Sequence, residues 1–269
     1  MLALYNSFMK NYKEKSGLDF SLGENEVLYE KTNFDTSIDW SKSIEAGAYS
    51  YADAKTDLKT LYYGVRYMED SKDKQVFQGN DFMADLTIIE PGKVGDEFVK
   101  TVGHYHQYVP GTNIAYPEAY EAVFGKFEYL LQSEQDGDGR VDVIWVVTEP
   151  GDKVVMPPNY GHVSMNVGKE LAIEVDIQKR DNPNGSDYSM FKERAGGALY
   201  RTEKGLEENP KYKIKSVRIV KPLERPDWGL TRNKPLYTSM IEAPEKFGWL
   251  TKPQDYDFNL DALFEDVAL

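Results

Sequence analysis

Thr101-Val102-Gly103-His104-Tyr105-His106 carries two of the chain's three histidines, separated by a single residue. On a strand, residues i and i+2 project from one face, so His104 and His106 can grip a single ion; on a helix the two rings would diverge around the axis. His-x-His therefore argues for a β site. The third and last histidine, His162, follows Pro157-Pro158-Asn159-Tyr160-Gly161, which leaves no histidine for any other task. Between the two segments Glu118 precedes Tyr120, Val123, Phe124 and Gly125, as expected of a strand that carries an inward carboxylate and ends in a tight turn. Singly, each has an ordinary reading: a solvated strand pair, a surface charge, a turn histidine facing water. Together His104, His106, Glu118 and His162 read as one metal site. Imidazoles suit Fe, Ni, Cu or Zn, and the carboxylate keeps Fe(II) and Mn(II) in contention.

Outward from this stretch, the chain from Leu61 to Ile177 alternates aromatic or β-branched residues with polar ones. The expected strands are Leu61 to Tyr67, Phe82 to Ile89, Glu97 to His106, Tyr120 to Gln132, Val141 to Val147, Lys153 to Met156, His162 to Val167 and Leu171 to Ile177. Pro91-Gly92, Pro150-Gly151 and Gly168 mark turns, and Asp136-Gly137-Asp138-Gly139-Arg140 reads as a hairpin tip, since it lacks the further oxygens of a calcium loop. Many short strands with regular turns suggest an all-β sandwich or small barrel whose inward side chains line a pocket. Residues 1–60 are expected to wrap that barrel, with a helix around Leu4 to Lys15. Residues 61–188 form the barrel itself, and 189–269 an extension: a short helix from Tyr188 to Ala195, a strand from Ile214 to Val220 at a sheet edge, and a terminal helix from Leu260 to Ala268 with Asn259 as N-cap. The segment Lys179 to Ser186 reads as a loop; its formal sequon at Asn184 carries no meaning without a secretory signal.

Composition excludes several classes. The 269 residues are 41% hydrophobic and 29% charged, and no apolar run approaches bilayer length. The first residues lack the basic cluster and apolar core of a signal peptide, so cytoplasmic residence is expected. With no cysteine, any metal is held by nitrogen and oxygen. A net charge of −13 excludes a broad nucleic-acid surface, and an anionic substrate must be captured by a local pocket rather than steered by the whole field.

The motifs Thr101 to His106, Tyr116-Pro-Glu-Ala-Tyr120, Gly125-Lys126, Tyr129 to Gln132, Pro157 to His162 and Asn166-Val-Gly168 resemble the cupin-type glucose-6-phosphate isomerases. Asp85-Leu-Thr87, Pro91-Gly-Lys93 and Gly95 to Phe98 extend the match, which covers roughly Leu61 to Tyr188. The resemblance implies a double-stranded β-helix, the cupin or jelly-roll barrel, that forms a homodimer. It implies one divalent ion held by His104, His106, Glu118 and His162, with Fe(II) first and Mn, Ni or Zn as alternatives. It also implies a sugar phosphate gripped by Thr87, Thr101, the backbone at Gly103, and Tyr120. Strict alternation puts Thr101 and His104 on opposite faces, so the strand must be interrupted between them, and Gly103 is where a bulge fits.

The implied reaction interconverts glucose 6-phosphate and fructose 6-phosphate, either by proton transfer through Glu118 or by a direct hydride shift that leaves Glu118 as a ligand. Two positions depart from the family pattern: Gln178 stands where a tyrosine is expected, and Ser186, ahead of Asp187-Tyr188, where a histidine is. Gln107 to Tyr116 is a longer insert than ordinary cupins carry, and Asn159 replaces a glycine in a position that asparagine tolerates because it visits the left-handed region. The alternatives are another cupin metalloenzyme, such as an oxygenase or free-sugar isomerase, and a non-catalytic sugar-binding cupin.

Overall fold

The computed structural model describes residues 10–23, 27–29, 38–180 and 186–268. Two sheets dominate. The first runs β1 (Ile38–Ser43), β2 (Thr60–Arg66), β3 (Phe82–Ile89), β4 (Glu118–Phe124), and the second begins with β5 (Phe127–Ser133) and β6 (Arg140–Val147). The chain then alternates between them through β7 (Lys153–Met156), β8 (Tyr160–Asn166) and β9 (Ala172–Lys179), and adds β10 (Lys213–Pro222) and β11 (Phe264–Asp266). The resulting orders are β7-β4-β9-β3-β2-β1 and β8-β5-β6-β10-β11. Every neighbour in these two sheets is antiparallel except β6 and β10, which run parallel. Strands that cross repeatedly between two facing sheets make the expected double-stranded β-helix.

Turn chemistry explains the crossings. Gly125 has φ +85°, and a Cβ there would lie 2.7 Å from the backbone of Ala172 and Leu171, so only glycine closes this turn. It divides the single strand expected from Tyr120 to Gln132 into β4 and β5, which belong to different sheets. Asn159 does adopt φ +66° between β7 and β8. The Asp136 loop is a hairpin tip, with Oδ1 accepting from the backbone amides of Asp138 and Arg140.

The six-stranded sheet reverses the usual arrangement. Its inner face carries Thr87, Asp85, Glu174, Asp176, Gln178, Glu118 and Tyr120, while the residues between them, such as Val175 and Ile177, are apolar and fully buried. The C-terminal extension covers that outer side: Leu236, Tyr237, Met240, Phe247, Trp249 and Leu250 join Ala84, Val175 and Ile177 in one hydrophobic cluster. The outward Glu121 carboxylate pairs with Lys153 at 2.9 Å and accepts from the Leu236 amide at 2.6 Å, satisfying both buried charges.

Three expectations change here. The expected strand Glu97 to His106 survives only as Glu97–Phe98 followed by isolated bridges at Lys100, His104 and Tyr105. The terminal helix is a single turn, Leu260–Leu263, capped by Asn259 as expected, because buried Phe264 then leads β11 onto the edge of β10. At the start, Lys10–Asn11 is a strand and the helix is only Lys13–Ser16, closed by Gly17 at φ +79°; the earlier part of that expected helix lies outside the described residues. So do Asp181 to Gly185 with the Asn184 sequon. The expected strand at Ile214 to Val220 and the helix after Tyr188 are present as β10 and Ser189–Glu193.

Candidate metal centre and substrate pocket

His104 and His162 face each other across two strands, joined by mutual backbone bonds of 3.4 and 3.0 Å. One step further, the Thr101 amide donates to the Ser164 carbonyl at 2.8 Å. Three residues on one strand thus span two on the other, which is the bulge expected at Gly103. It leaves Thr101 Oγ1, rather than a carbonyl, to accept from the Ser164 amide at 3.0 Å. Phe191 wedges beneath it: a Cβ on Gly103 would lie 2.2 Å from the Phe191 ring, and one on Gly161 would lie 2.7 Å from Tyr105 and 2.9 Å from Phe191. His104 and His162 are each therefore preceded by a glycine that makes room for the same aromatic cluster.

The four predicted ligands converge. One donor atom from each of His104, His106, Glu118 and His162 lies within 4.8 Å of all the others. His104 Nε2 and His106 Nε2 are 3.2 Å apart, and Glu118 Oε2 is 3.3 Å from both His106 Nε2 and His162 Nε2. Glu118 Oε2 is buried without a hydrogen-bond donor, and an acceptor surrounded by ring nitrogens is what a divalent ion would satisfy. Supporting contacts fit that use. His106 Nδ1 lies 2.9 Å from the Tyr116 carbonyl, so a proton on Nδ1 leaves Nε2 as the lone-pair donor. Tyr116 ends the Gln107 insert, whose role at the site is to bring this carbonyl. Asn159 anchors the insert by accepting from the Ala115 amide at 2.7 Å and donating to the Asn113 carbonyl at 2.9 Å.

Electrostatics agree with ligand chemistry. Burial, then the neighbouring rings His162 and His106, push His104 well below the ordinary histidine range, and burial lowers His162 too. Burial also opposes charge on His106, but the Glu118 carboxylate and Tyr116 carbonyl outweigh it and raise that group. Glu118 is destabilised by burial yet held well below the usual carboxylate range by His106 and His162.

The metal end opens into a pocket with a cavity volume of about 60 Å³. Strand register arranges its wall in rows: Gly64, Thr87 and Glu174; then Asp85, Asp176 and Tyr120; then Gln178 and Glu118. Thr87, Thr101 and Tyr120 line it, while Gly103 does not and packs on Phe191 instead. The Tyr120 hydroxyl is 3.4 Å from His162 Nε2, at the metal end. Tyr188 lines the pocket with its ring 5.4 Å from that of His104, and Ser186 lines it too.

The unassigned residues are the acidic floor. Gln178 Nε2 donates to Glu118 Oε1 at 2.8 Å and lies 3.1 Å from Asp176 Oδ2 and 3.4 Å from Asp85 Oδ2. Arg66 Nη1 pairs with Asp85 Oδ2 at 2.6 Å. Burial drives the Asp85 carboxyl up to about 6 against the pull of Arg66, and raises Asp176 well above the carboxylate range with help from Glu118 and Asp85. Burial carries Glu174 up to about 8. One signal was available: Glu174-Val-Asp-Ile-Gln178 places a polar group at every second position of an otherwise apolar strand.

Residues 42–218 match the sequence profile of the family described as Glucose-6-phosphate isomerase (GPI). A glucose-6-phosphate isomerase of Thermococcus onnurineus is 32% identical over 197 residues, covering 68% of this chain and 98% of that protein. That of Pyrococcus furiosus is 28% identical over 198 residues with the same coverage, and that of Thermococcus litoralis 30% identical over 178 residues, 65% of this chain and 79% of its own. With the profile covering most of both sheets and all four converging residues, the chain belongs to the glucose-6-phosphate isomerase family.

Proposed function

We propose that this protein interconverts glucose 6-phosphate and fructose 6-phosphate as a metal-dependent isomerase. The observation that carries the reading is the convergence of His104, His106, Glu118 and His162 on one point beside a pocket, with Glu118 Oε2 left unsatisfied. His104, His106, Glu118 and His162 would hold a divalent ion, Fe(II) first and Mn, Ni or Zn as alternatives, which when bound would supply Lewis-acid chemistry at the carbonyl end of the sugar. The chain's own groups do the rest. Glu118, ionised and lining the pocket, is placed to carry the proton between C2 and C1, and Gln178 fixes its rotation by holding Oε1. Tyr120 places a hydroxyl at the reacting end, and Thr87 and Thr101 offer hydroxyls further along the wall for the phosphate. The Gly103 backbone contributes by shaping the bulge that turns Thr101 and His104 to one ligand. The family resemblance supports a cytoplasmic homodimer; among the described residues no helix is long and apolar enough to cross a membrane.

The test is a coupled assay of fructose 6-phosphate conversion on protein stripped of metal and reloaded with one ion at a time. At least one ion should restore turnover, and His162→Ala should lower metal content and activity together, because three ligands hold an ion less tightly than four. Absence of conversion with all four ions would sink the reading.

A further inference from the structure

A sugar phosphate brings an anion to a protein whose net charge is −13, so the pocket has to meet that charge locally. Arg66 is the only Lys or Arg in its lining. It stands on the side of the wall away from Glu118: in the six-stranded sheet Glu118 is on β4 and Arg66 on β2, with β9 and β3 between them. Neighbouring strands are about 4.8 Å apart, so roughly 14 Å separates the two backbones along the sheet. An open hexose chain with its carbonyl end at the imidazoles can run along that wall, and its far end then comes toward β2.

Arg66 is prepared for that end. Its side chain is 33% exposed, so a ligand can reach it. Asp85 Oδ2 accepts from Nη1 at 2.6 Å, and Asp85 Oδ1 is itself fixed by the Tyr67 amide at 3.0 Å. Among the described residues Nε and Nη2 make no hydrogen bond. A guanidinium held at one nitrogen keeps its remaining donors in a rigid fork, the geometry that grips phosphate in pairs. Gly64, two residues earlier on the same face, pairs with Thr87 and has no side chain, which leaves room for one ligand to touch both Thr87 and Arg66. The carboxyl in the Thr87 row does not oppose a phosphate, since burial raises Glu174 to about 8 and keeps it protonated at neutral pH.

We propose that Arg66 is the cation that meets the phosphate of the substrate, held by Asp85 and binding through Nε and Nη2 beside the Thr87 hydroxyl. This deepens the isomerase reading above and rests on it for the phosphate.

The experiment is calorimetric titration of the metal-loaded protein with glucitol 6-phosphate and with glucitol, which lack the carbonyl and cannot be isomerised. It is repeated on Arg66→Gln and Arg66→Lys. Wild type should prefer the phosphorylated polyol, and Arg66→Gln should lower that preference by roughly tenfold or more while glucitol affinity moves by less than about threefold, as expected when charge-assisted hydrogen bonds to one group are lost. Arg66→Lys, which keeps the charge and loses the fork, should fall between. A preference that survives in Arg66→Gln, or an equal loss for both polyols, overturns the proposal; the second result would assign Arg66 to the upkeep of the wall. Metal content and thermal midpoint are measured alongside. Should Arg66→Gln fail to fold because Asp85 is left buried and unpaired, Arg66→Gln combined with Asp85→Asn removes both charges and is held to the same tenfold loss. Binding is read without turnover, so the expected ratios together with no conversion of sugar phosphates would count against the isomerase reading and leave Arg66 as the phosphate contact, whereas no preference in wild type would sink both.

Discussion

Gln178 occupies a junction that few single side chains can serve. Its amide hydrogens lie between Glu118, Asp176 and Asp85, and its bond to Glu118 Oε1 turns Oε2 toward His106 and His162. A tyrosine, the residue the family pattern leads one to expect, could present one donor but not a planar NH2 to three carboxyls. Removing the donor should free the Glu118 carboxylate to rotate and leave three buried carboxyls with no shared partner. Gln178→Leu is therefore expected to weaken metal binding by roughly 10–100-fold, the usual effect of losing a residue that orients a ligand. Competition against a chromogenic chelator measures this; unchanged affinity would show that Glu118 is positioned by the imidazoles alone.

At the scale of elements, the site depends on an irregularity. The bulge between Thr101 and His104 exists because Val102 and Gly103 occupy the space of one residue opposite Val163, and Phe191 fills the room that two missing side chains leave. Gly103→Ala puts a methyl 2.2 Å from that ring, an overpacking cost of roughly 1–3 kcal/mol. It should lower the unfolding midpoint and, by moving His104, the metal content as well. Phe191 is fully buried, so Phe191→Ala should cost about 3–5 kcal/mol through the cavity it leaves. Combining Gly103→Ala with Phe191→Leu is the decisive measurement: the smaller side chain should restore part of the metal content lost in Gly103→Ala, and independent, additive losses would show that the wedge does not couple to the histidine.

For the whole molecule, the polar interior of the pocket has two consequences. The first is a pH dependence. The Glu174 carboxyl sits near 8 when folded and near its ordinary 4.5 when unfolded. Between those values the native state keeps a proton that the unfolded chain has released, so stability is greatest below about 4.5 as far as this group is concerned and falls as pH rises toward 8. The slope is at most roughly 1.4 kcal/mol per pH unit. Asp85, held near 6, acts in the same direction over a narrower window. Urea unfolding at pH 6 and 8 should show a smaller loss in Glu174→Gln than in wild type; an equal loss would mean the carboxyl is already ionised in the native state.

The second consequence concerns the extension. Because the inner face of the six-stranded sheet is given to polar groups, its apolar outer face has to be covered by something else, and the segment from Leu236 to Leu250 does this. A chain ending at Lys221 would uncover Val175, Ile177 and Ala84 and leave Glu121 with Lys153 but without the Leu236 amide. It is expected to aggregate in size-exclusion chromatography, and a monodisperse folded product would show that the barrel is independent of its extension.

How much of this was legible in the residues follows from the range over which each feature is determined. The spacing His104-x-His106, the alternation along the strands and the turn glycines are local, and they were enough to expect a β-walled site and to name the four side chains that converge there. Even there, the run Tyr120 to Gln132 concealed the crossing at Gly125, because its largely buried residues give no period that marks a turn, and Leu260 to Ala268 concealed a strand because so short a segment does not separate one helical turn plus an edge strand from a continuous helix. Taken alone, the residues led to a β barrel in which three histidines and a glutamate come together. Packing in three dimensions was needed to show that Phe191 stands beneath two of those histidines, and that Arg66, Asp85, Glu174, Asp176 and Gln178 share one cavity. The physical reason is register: charges from three separate strands become neighbours only when hydrogen-bonded pairing brings their rows together, and no stretch of the chain shorter than the whole sheet contains that information.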